Sequence, residues 1–356
     1  MAVYTFGSNL LSQLGTGEEP GHSSKPLELA LFSEMKVDKV CCGSLHTLIL
    51  SEGIIYSFGC NDEFALGRDG DENVPLRIEV PEPVIHIGAG QSSSFCVGKS
   101  GKLYGWGTFR DKSGVIGFRA NKKFQKAPVV LHRGPVKLLA VGSNHILYSV
   151  RGEVYALGAN EFGEKGVYKR RRMGRSSELG PVLVANRRSR YSKCSKMFCG
   201  TSTSFMVSEK GEAFAFGQNG NGQLGLGDKM SGISKRTVPL EHIHGISGGE
   251  VHTLFTTKDK KLYAAGHNMF GQLGTKDNAD RDSLTHIDLA NVRMARTKGF
   301  FSVAYTDDGM YSWGFNSHGE CGYAGQDSNA PKKMEIDFEE IVSFDVGHDF
   351  CVVVTK

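Results

Sequence analysis

Gln218-Asn219-Gly220-Asn221-Gly222-Gln223-Leu224-Gly225 and His267-Asn268-Met269-Phe270-Gly271-Gln272-Leu273-Gly274 are two copies of one glycine-rich turn, 49 residues apart. Each is preceded by an aromatic residue, and the pattern recurs from Tyr4, Tyr56, Tyr104, Tyr155, Phe214, Tyr263 and Tyr311 at spacings of 52, 48, 51, 59, 49 and 48 residues. A second landmark stands 12 to 14 residues before the aromatic: a Gly opening a short β-type run, at Gly43, Gly90, Gly142, Gly200, Gly249, Gly299 and Gly347. After Gly347 the chain ends, and its last residues added to the four that lead to Tyr4 restore an interval of 13. The sequence is numerically a circle cut within one repeat. An open solenoid needs capping units at both ends, whereas a ring needs its first and last strands to meet in one sheet.

Within a unit, Gly43 to Gly59 reads as two β runs joined by a Gly-containing hairpin, and about 50 residues hold four short strands. The expected fold is all-β: a seven-bladed β-propeller over residues 1–356, its last blade closed by the N-terminal strand. This reading also accounts for the composition. The chain has 46 Gly in 356 residues, about double the usual share, with aromatic and β-branched residues interleaved, which excludes collagen and a disordered linker. The turn Asn residues (Asn9, Asn61, Asn160, Asn219, Asn268, Asn316) suit turn geometry more than chemistry. Trp106 and Trp313, each just before a turn-opening Gly, are expected to pack between blades.

No apolar run is long enough to span a bilayer and no signal sequence is evident, so a soluble, unsecreted protein is expected. The eight cysteines include no C-x-x-C and read as buried thiols; no metal and no cofactor are expected.

One turn breaks the rule. In six copies the first and last Gly are eight residues apart, whereas Gly107 and Gly117 are ten apart and enclose Thr108-Phe109-Arg110-Asp111-Lys112-Ser113-Gly114-Val115-Ile116 with no Asn. A rule kept six times and broken once by an apolar and charged insert marks a functional site or a tolerated loop insertion.

The Tyr-x-x-Gly-x-Asn-x-x-Gly-Gln-Leu-Gly pattern resembles the regulator of chromosome condensation family over essentially the whole chain. Phe109, Arg110, Asp111, Gly114, Val115 and Ile116 match the β-wedge of the family's guanine-nucleotide exchange factor for the small GTPase Ran; Lys112 and Ser113 depart from it. The resemblance implies a nucleotide exchange factor without covalent chemistry, a monomer, in which residues 109–116 press on the GTPase phosphate-binding region. On that expectation, Phe109→Ala slows exchange and leaves melting nearly unchanged. It further implies a GTPase-facing surface with His46, His145 and His252, and with Gln91 and Asn144 where the family's exchanger carries acids. A His that merely satisfies neighbouring backbone is the alternative.

The longest interval carries a basic insert, residues 168–197, with ten Lys or Arg against one acid. Such charge suits the acidic patch of the histone octamer, where the resemblance places Arg170, Arg171, Arg172 and Arg175, or nucleic-acid phosphates, or solvent alone. The family's basic N-terminal tail has no counterpart before Val3, so nuclear, chromatin-associated residence rests on the resemblance, with Lys169 to Arg172 as the import signal. A non-catalytic propeller scaffold is the rival function.

Overall fold

The computed structural model describes residues 1–17, 20–118, 122–167, 181–185, 194–335, 338 and 340–356. Seven four-stranded antiparallel sheets follow one another along the chain. Their innermost strands, which open blades 1 to 7, are Val37–Cys42, Val84–Ala89, Val136–Val141, Cys194–Cys199, Ile243–Gly248, Val292–Thr297 and Ile341–Val346. The second strand of every blade but the sixth, such as His46–Ser51 in blade 1 or Thr203–Ser208 in blade 4, is buried along its whole length. It lies under neighbouring blades on both faces, which is why it reads as a near-continuous apolar run instead of an alternating one. Outermost strands, such as Arg281–Ile287 in blade 5, are half-buried or exposed over most of their length.

The ring closes as the spacing predicts. Ala2–Ser8 enters blade 7 beside Phe350–Thr355, in unbroken register from Ala2 opposite Thr355 to Gly7 opposite Phe350. Val3 packs with Val352, Val354 and the blade 1 residues Val40 and Phe58, while Phe6 packs with Phe301 and Phe344 on the other side. The first strand is therefore core for blades 6, 7 and 1 together.

Each regular turn is organised by its Asn. The Oδ1 of Asn9, Asn61, Asn160, Asn219, Asn268 and Asn316 accepts the N–H five residues on, at 2.8–3.0 Å. Each Nδ2 donates to a carbonyl further along, as Asn268 does to Asp277 at 2.8 Å. The turn's last Gly then receives the next blade's aromatic: a Cβ on Gly67 would lie 2.5 Å from the Trp106 ring, and φ there is +68°. Trp106 and Trp313 are fully buried and donate Nε1–H to the Ala65 and Gln272 carbonyls of the preceding blade, as expected of inter-blade packing.

Strand pairing corrects one landmark. Phe301 faces Gly314 as His46 faces Gly59, so the blade 6 counterpart of the opening Gly is Lys298, not Gly299, and Phe301, not Ser302, takes the His position. Around the axis the openers are linked blade to blade by N–H to carbonyl bonds, from Ser44 to Gly90, Gln91 to Ser143, Ser143 to Thr201, Thr201 to Gly249, Glu250 to Lys298 and His348 to Ser44. Among the described residues no such bond joins blades 6 and 7, the step that follows Lys298.

Candidate functional site

The irregular turn stands between the third strand of blade 2, Leu103–Gly107, and its outermost strand, Gln125–His132. It forms a small hairpin of its own, with Arg110 opposite Val115 and Asp111 opposite Gly114. Phe109 occupies the slot that Asn fills elsewhere. Its main-chain carbonyl accepts the Ile116 N–H at 2.9 Å, taking over what the Asn side-chain oxygen does in the other six turns. The freed side chain turns inward: Phe109 is fully buried, 4.8 Å between centroids from Phe118 and 5.6 Å from Phe95.

Phe109 is therefore the root of the hairpin and not its tip, and the expectation that Phe109→Ala spares the melting transition is corrected. Emptying a buried aromatic site of this kind costs about 3–5 kcal/mol. The exposed end is Lys112 and Ser113, with Asp111 Oδ1 accepting the Ser113 N–H at 2.7 Å to hold the reversal. Gly114, at φ +101°, supplies a backbone conformation that a side chain would strain.

The hairpin is braced from both neighbours. From blade 1, Glu63 pairs with the Arg110 guanidinium at 2.7 Å. From blade 3, Asn144 Oδ1 accepts the Arg110 N–H at 2.8 Å and Glu161 accepts the Lys112 N–H at 3.0 Å. Asn144 Nδ2 also donates to Gln91 Oε1 at 2.7 Å, so the two amides singled out in the sequence form one chain with the wedge backbone. Two carboxylates at these positions would repel and could not make that bond; the paired amides close it without charge. Glu63 and Glu161 carry no sequence signal, since each sits in a neighbouring turn whose local pattern says nothing about blade 2.

The histidines stand elsewhere. His46, His145 and His252 are at most 1% exposed, and each Nε2 meets a Ser hydroxyl of the next blade: Ser94 at 2.8 Å, Ser204 at 2.9 Å and Ser302 at 2.9 Å. Each of those hydroxyls gives its one proton to a carbonyl, of Ala65, Glu164 and Gln272, so the imidazole must donate from Nε2. Desolvation carries all three rings down to about 3, aided by the charges of Lys298 at His46, Lys165 at His145 and His267 at His252. They are neutral inter-blade links. Their burial fits the alternative of a His that satisfies its neighbours, and a role toward a GTPase stays a proposal.

Arg170, Arg171, Arg172 and Arg175 lie outside the described residues. From the same insert, the strand Val182–Ala185 is the outermost of blade 3.

The chain is thus a seven-bladed propeller, one blade of which carries a braced hairpin. Residues 2–353 match the RCC1-like domain, and the chain belongs to that family. It is 31% identical to the human Regulator of chromosome condensation, over 99% of this chain and 90% of that one. It is 27% identical to the guanine nucleotide exchange factor SRM1 of Saccharomyces cerevisiae, over 88% and 77% of the two chains. The ultraviolet-B receptor UVR8 of Arabidopsis thaliana is also similar, at 28% identity over 94% and 77%, so membership fixes the fold more firmly than the role. Among solved structures, that of yeast Prp20p, described with its binding to Gsp1p and histones, superposes with a TM-score of 0.90 at 25% identity, covering 100% of this chain and 92% of that one.

Proposed function

We propose that this chain is a guanine-nucleotide exchange factor for a Ran-like small GTPase, acting through the hairpin 109–116 and docking on chromatin through the basic insert 168–197. The observation that carries the reading is the hairpin itself: one turn of seven departs from the repeat, matches the family's wedge, and is held by both adjacent blades. Similarity to an exchange factor, and to Prp20p with its Gsp1p and histone binding, supports the same activity and partners.

Exchange needs no bond-making. A GTPase holds its nucleotide through an array of backbone N–H groups, a Lys and a Mg²⁺ ion, so a small push on that loop weakens many polar contacts together. The free energy gained by preferring the nucleotide-free GTPase is, by linkage, the free energy by which nucleotide is loosened, with about 1.4 kcal/mol for each tenfold change. A wedge that is already ordered loses little freedom on pressing into its target. Bracing by Glu63, Asn144 and Glu161 provides that order, with Asp111, Lys112 and Ser113 meeting the partner while Phe109 anchors the base.

Release of labelled GDP from purified Ran, with and without the protein, tests the reading; an unchanged rate removes it and leaves a scaffold. For the insert, nucleosome binding should weaken as salt rises and in Arg170→Ala/Arg171→Ala, and binding indifferent to both would remove chromatin docking. Nuclear residence belongs to the same proposal.

A further inference from the structure

The axial channel holds a cavity of about 320 Å³ lined by the innermost strands and their openers. Four charged side chains line it: Lys39 from blade 1, Arg296 and Lys298 from blade 6, and Asp345 from blade 7. They are one cluster, since all four act electrostatically on the Cys41 thiol between them.

Their partners are uneven. Asp345 is committed, accepting the Cys42 N–H at 2.8 Å and facing Arg296 at 3.6 Å. Lys298 reaches across the ring from blade 6 to the opposite side, where its ammonium donates to the Cys42 carbonyl and lies 3.5 Å from that of Ala89, in blades 1 and 2. Lys39 Nζ rests on the Ile87 carbonyl at 3.3 Å. Among the described residues neither ammonium has a carboxylate within ion-pair distance, so carbonyl dipoles orient both charges and neutralise neither. The lining therefore carries two positive charges in excess, with Arg296 and Lys298 half-buried and Lys39 exposed. Burial also pulls the Lys298 ammonium below its ordinary value, against the opposing attraction of Asp345.

Lys298 is also the one departure from Gly among the seven openers, and it sits at the one step where, among the described residues, the ring of inter-blade bonds is missing. A Cβ at the other openers would run into a neighbour, within 2.9 Å of the Gly142 carbonyl at Gly90 for example. Blade 6 gives up that packing and places an ammonium in the channel.

We propose that the axial channel is a binding site for a small phosphate-class oxyanion, held between Lys39, Arg296 and Lys298. A doubly charged tetrahedral oxyanion matches the excess charge, and its several acceptor oxygens suit cations that approach from different blades.

Calorimetric titration of the full chain with inorganic phosphate, against chloride at equal ionic strength, tests this without any GTPase. Saturable binding is expected in the wild type, weakened about tenfold or more in Lys298→Met and in Lys39→Met, the loss of one charge-assisted bond. It should persist in Arg170→Ala/Arg171→Ala/Arg172→Ala. Lys39 lies in none of the backbone bonds that link opener to opener, so its variant keeps the test decisive if Lys298→Met fails to fold. No phosphate-specific binding, binding that survives both lysine changes, or binding lost with the insert arginines would each overturn the proposal.

Discussion

The blade 2 turn and the blade 5 turn start from the same plan and end as different devices. In blade 5 the Asn268 side chain fastens the loop from within, accepting the Leu273 N–H and donating toward Asp277, and nothing protrudes beyond the repeat. In blade 2 the main-chain carbonyl of Phe109 takes the accepting role, the ring becomes core, and two added residues are pushed out as a hairpin. One changed residue and two added ones thus separate an internally tied turn from an anchored projection. The lesson is that an apolar residue in a surface turn can be the foot of a projecting element and not its tip.

The largest effect should come from breaking the foot. Phe109→Ala should cost about 3–5 kcal/mol and abolish exchange, whereas Asn268→Ala should cost about 2 kcal/mol by orphaning the Leu273 N–H and leave exchange intact. Denaturant unfolding of both variants measures this, and equal costs would undo the distinction between the two turns.

A second contrast sits one blade on. Gln272 occupies the position before the last Leu-Gly of the blade 5 turn, and blade 6 has Glu320 there, fully buried with Oε1 unpartnered and Oε2 accepting the His318 N–H at 2.8 Å. Burial raises its carboxyl to about 7 against the persistent pull of those backbone donors, with Asp349 and Asp327 adding repulsion. The folded state therefore binds this proton more tightly than the unfolded chain. Its contribution is neutral below the ordinary carboxyl pKa, and stability is lost as pH rises toward the raised value. Glu320→Gln should stabilise by about 3 kcal/mol near pH 8 and by almost nothing near pH 4, where the carboxyl is protonated in both states. A gain equal at both pH values would show that packing, not ionisation, separates the two blades.

Much of the fold is legible in the sequence because a repeat writes the same constraint seven times. The 13-residue interval across the termini foretells the strand that closes blade 7, and the place of Trp106 and Trp313 before a turn Gly foretells their burial between blades. The errors share one physical cause: local pattern does not record direction. Phe109 reads as a projecting wedge because its neighbours are polar, although only the fold shows Phe95 and Phe118 waiting beneath it. That His46, His145 and His252 point into the next blade is likewise visible only in the fold. Lys298 is passed over because a Gly follows it, and one residue of register sends its side chain across the channel. Glu63, Glu161 and Asn144 meet the hairpin only through the ring, so their bracing is invisible along the chain.

The smallest structural effect should accompany the most telling functional one. Lys112→Ala/Ser113→Ala alters only the exposed tip and should leave stability within about 0.5 kcal/mol of the wild type. Release of labelled GDP from Ran by that variant beside the wild type is the most direct measurement of the wedge. Acceleration by the wild type, reduced about tenfold or more in the variant at unchanged melting, is the predicted result, a loss of about 1.4 kcal/mol in loosening the nucleotide. Equal acceleration by both proteins, or none by either, would contradict it.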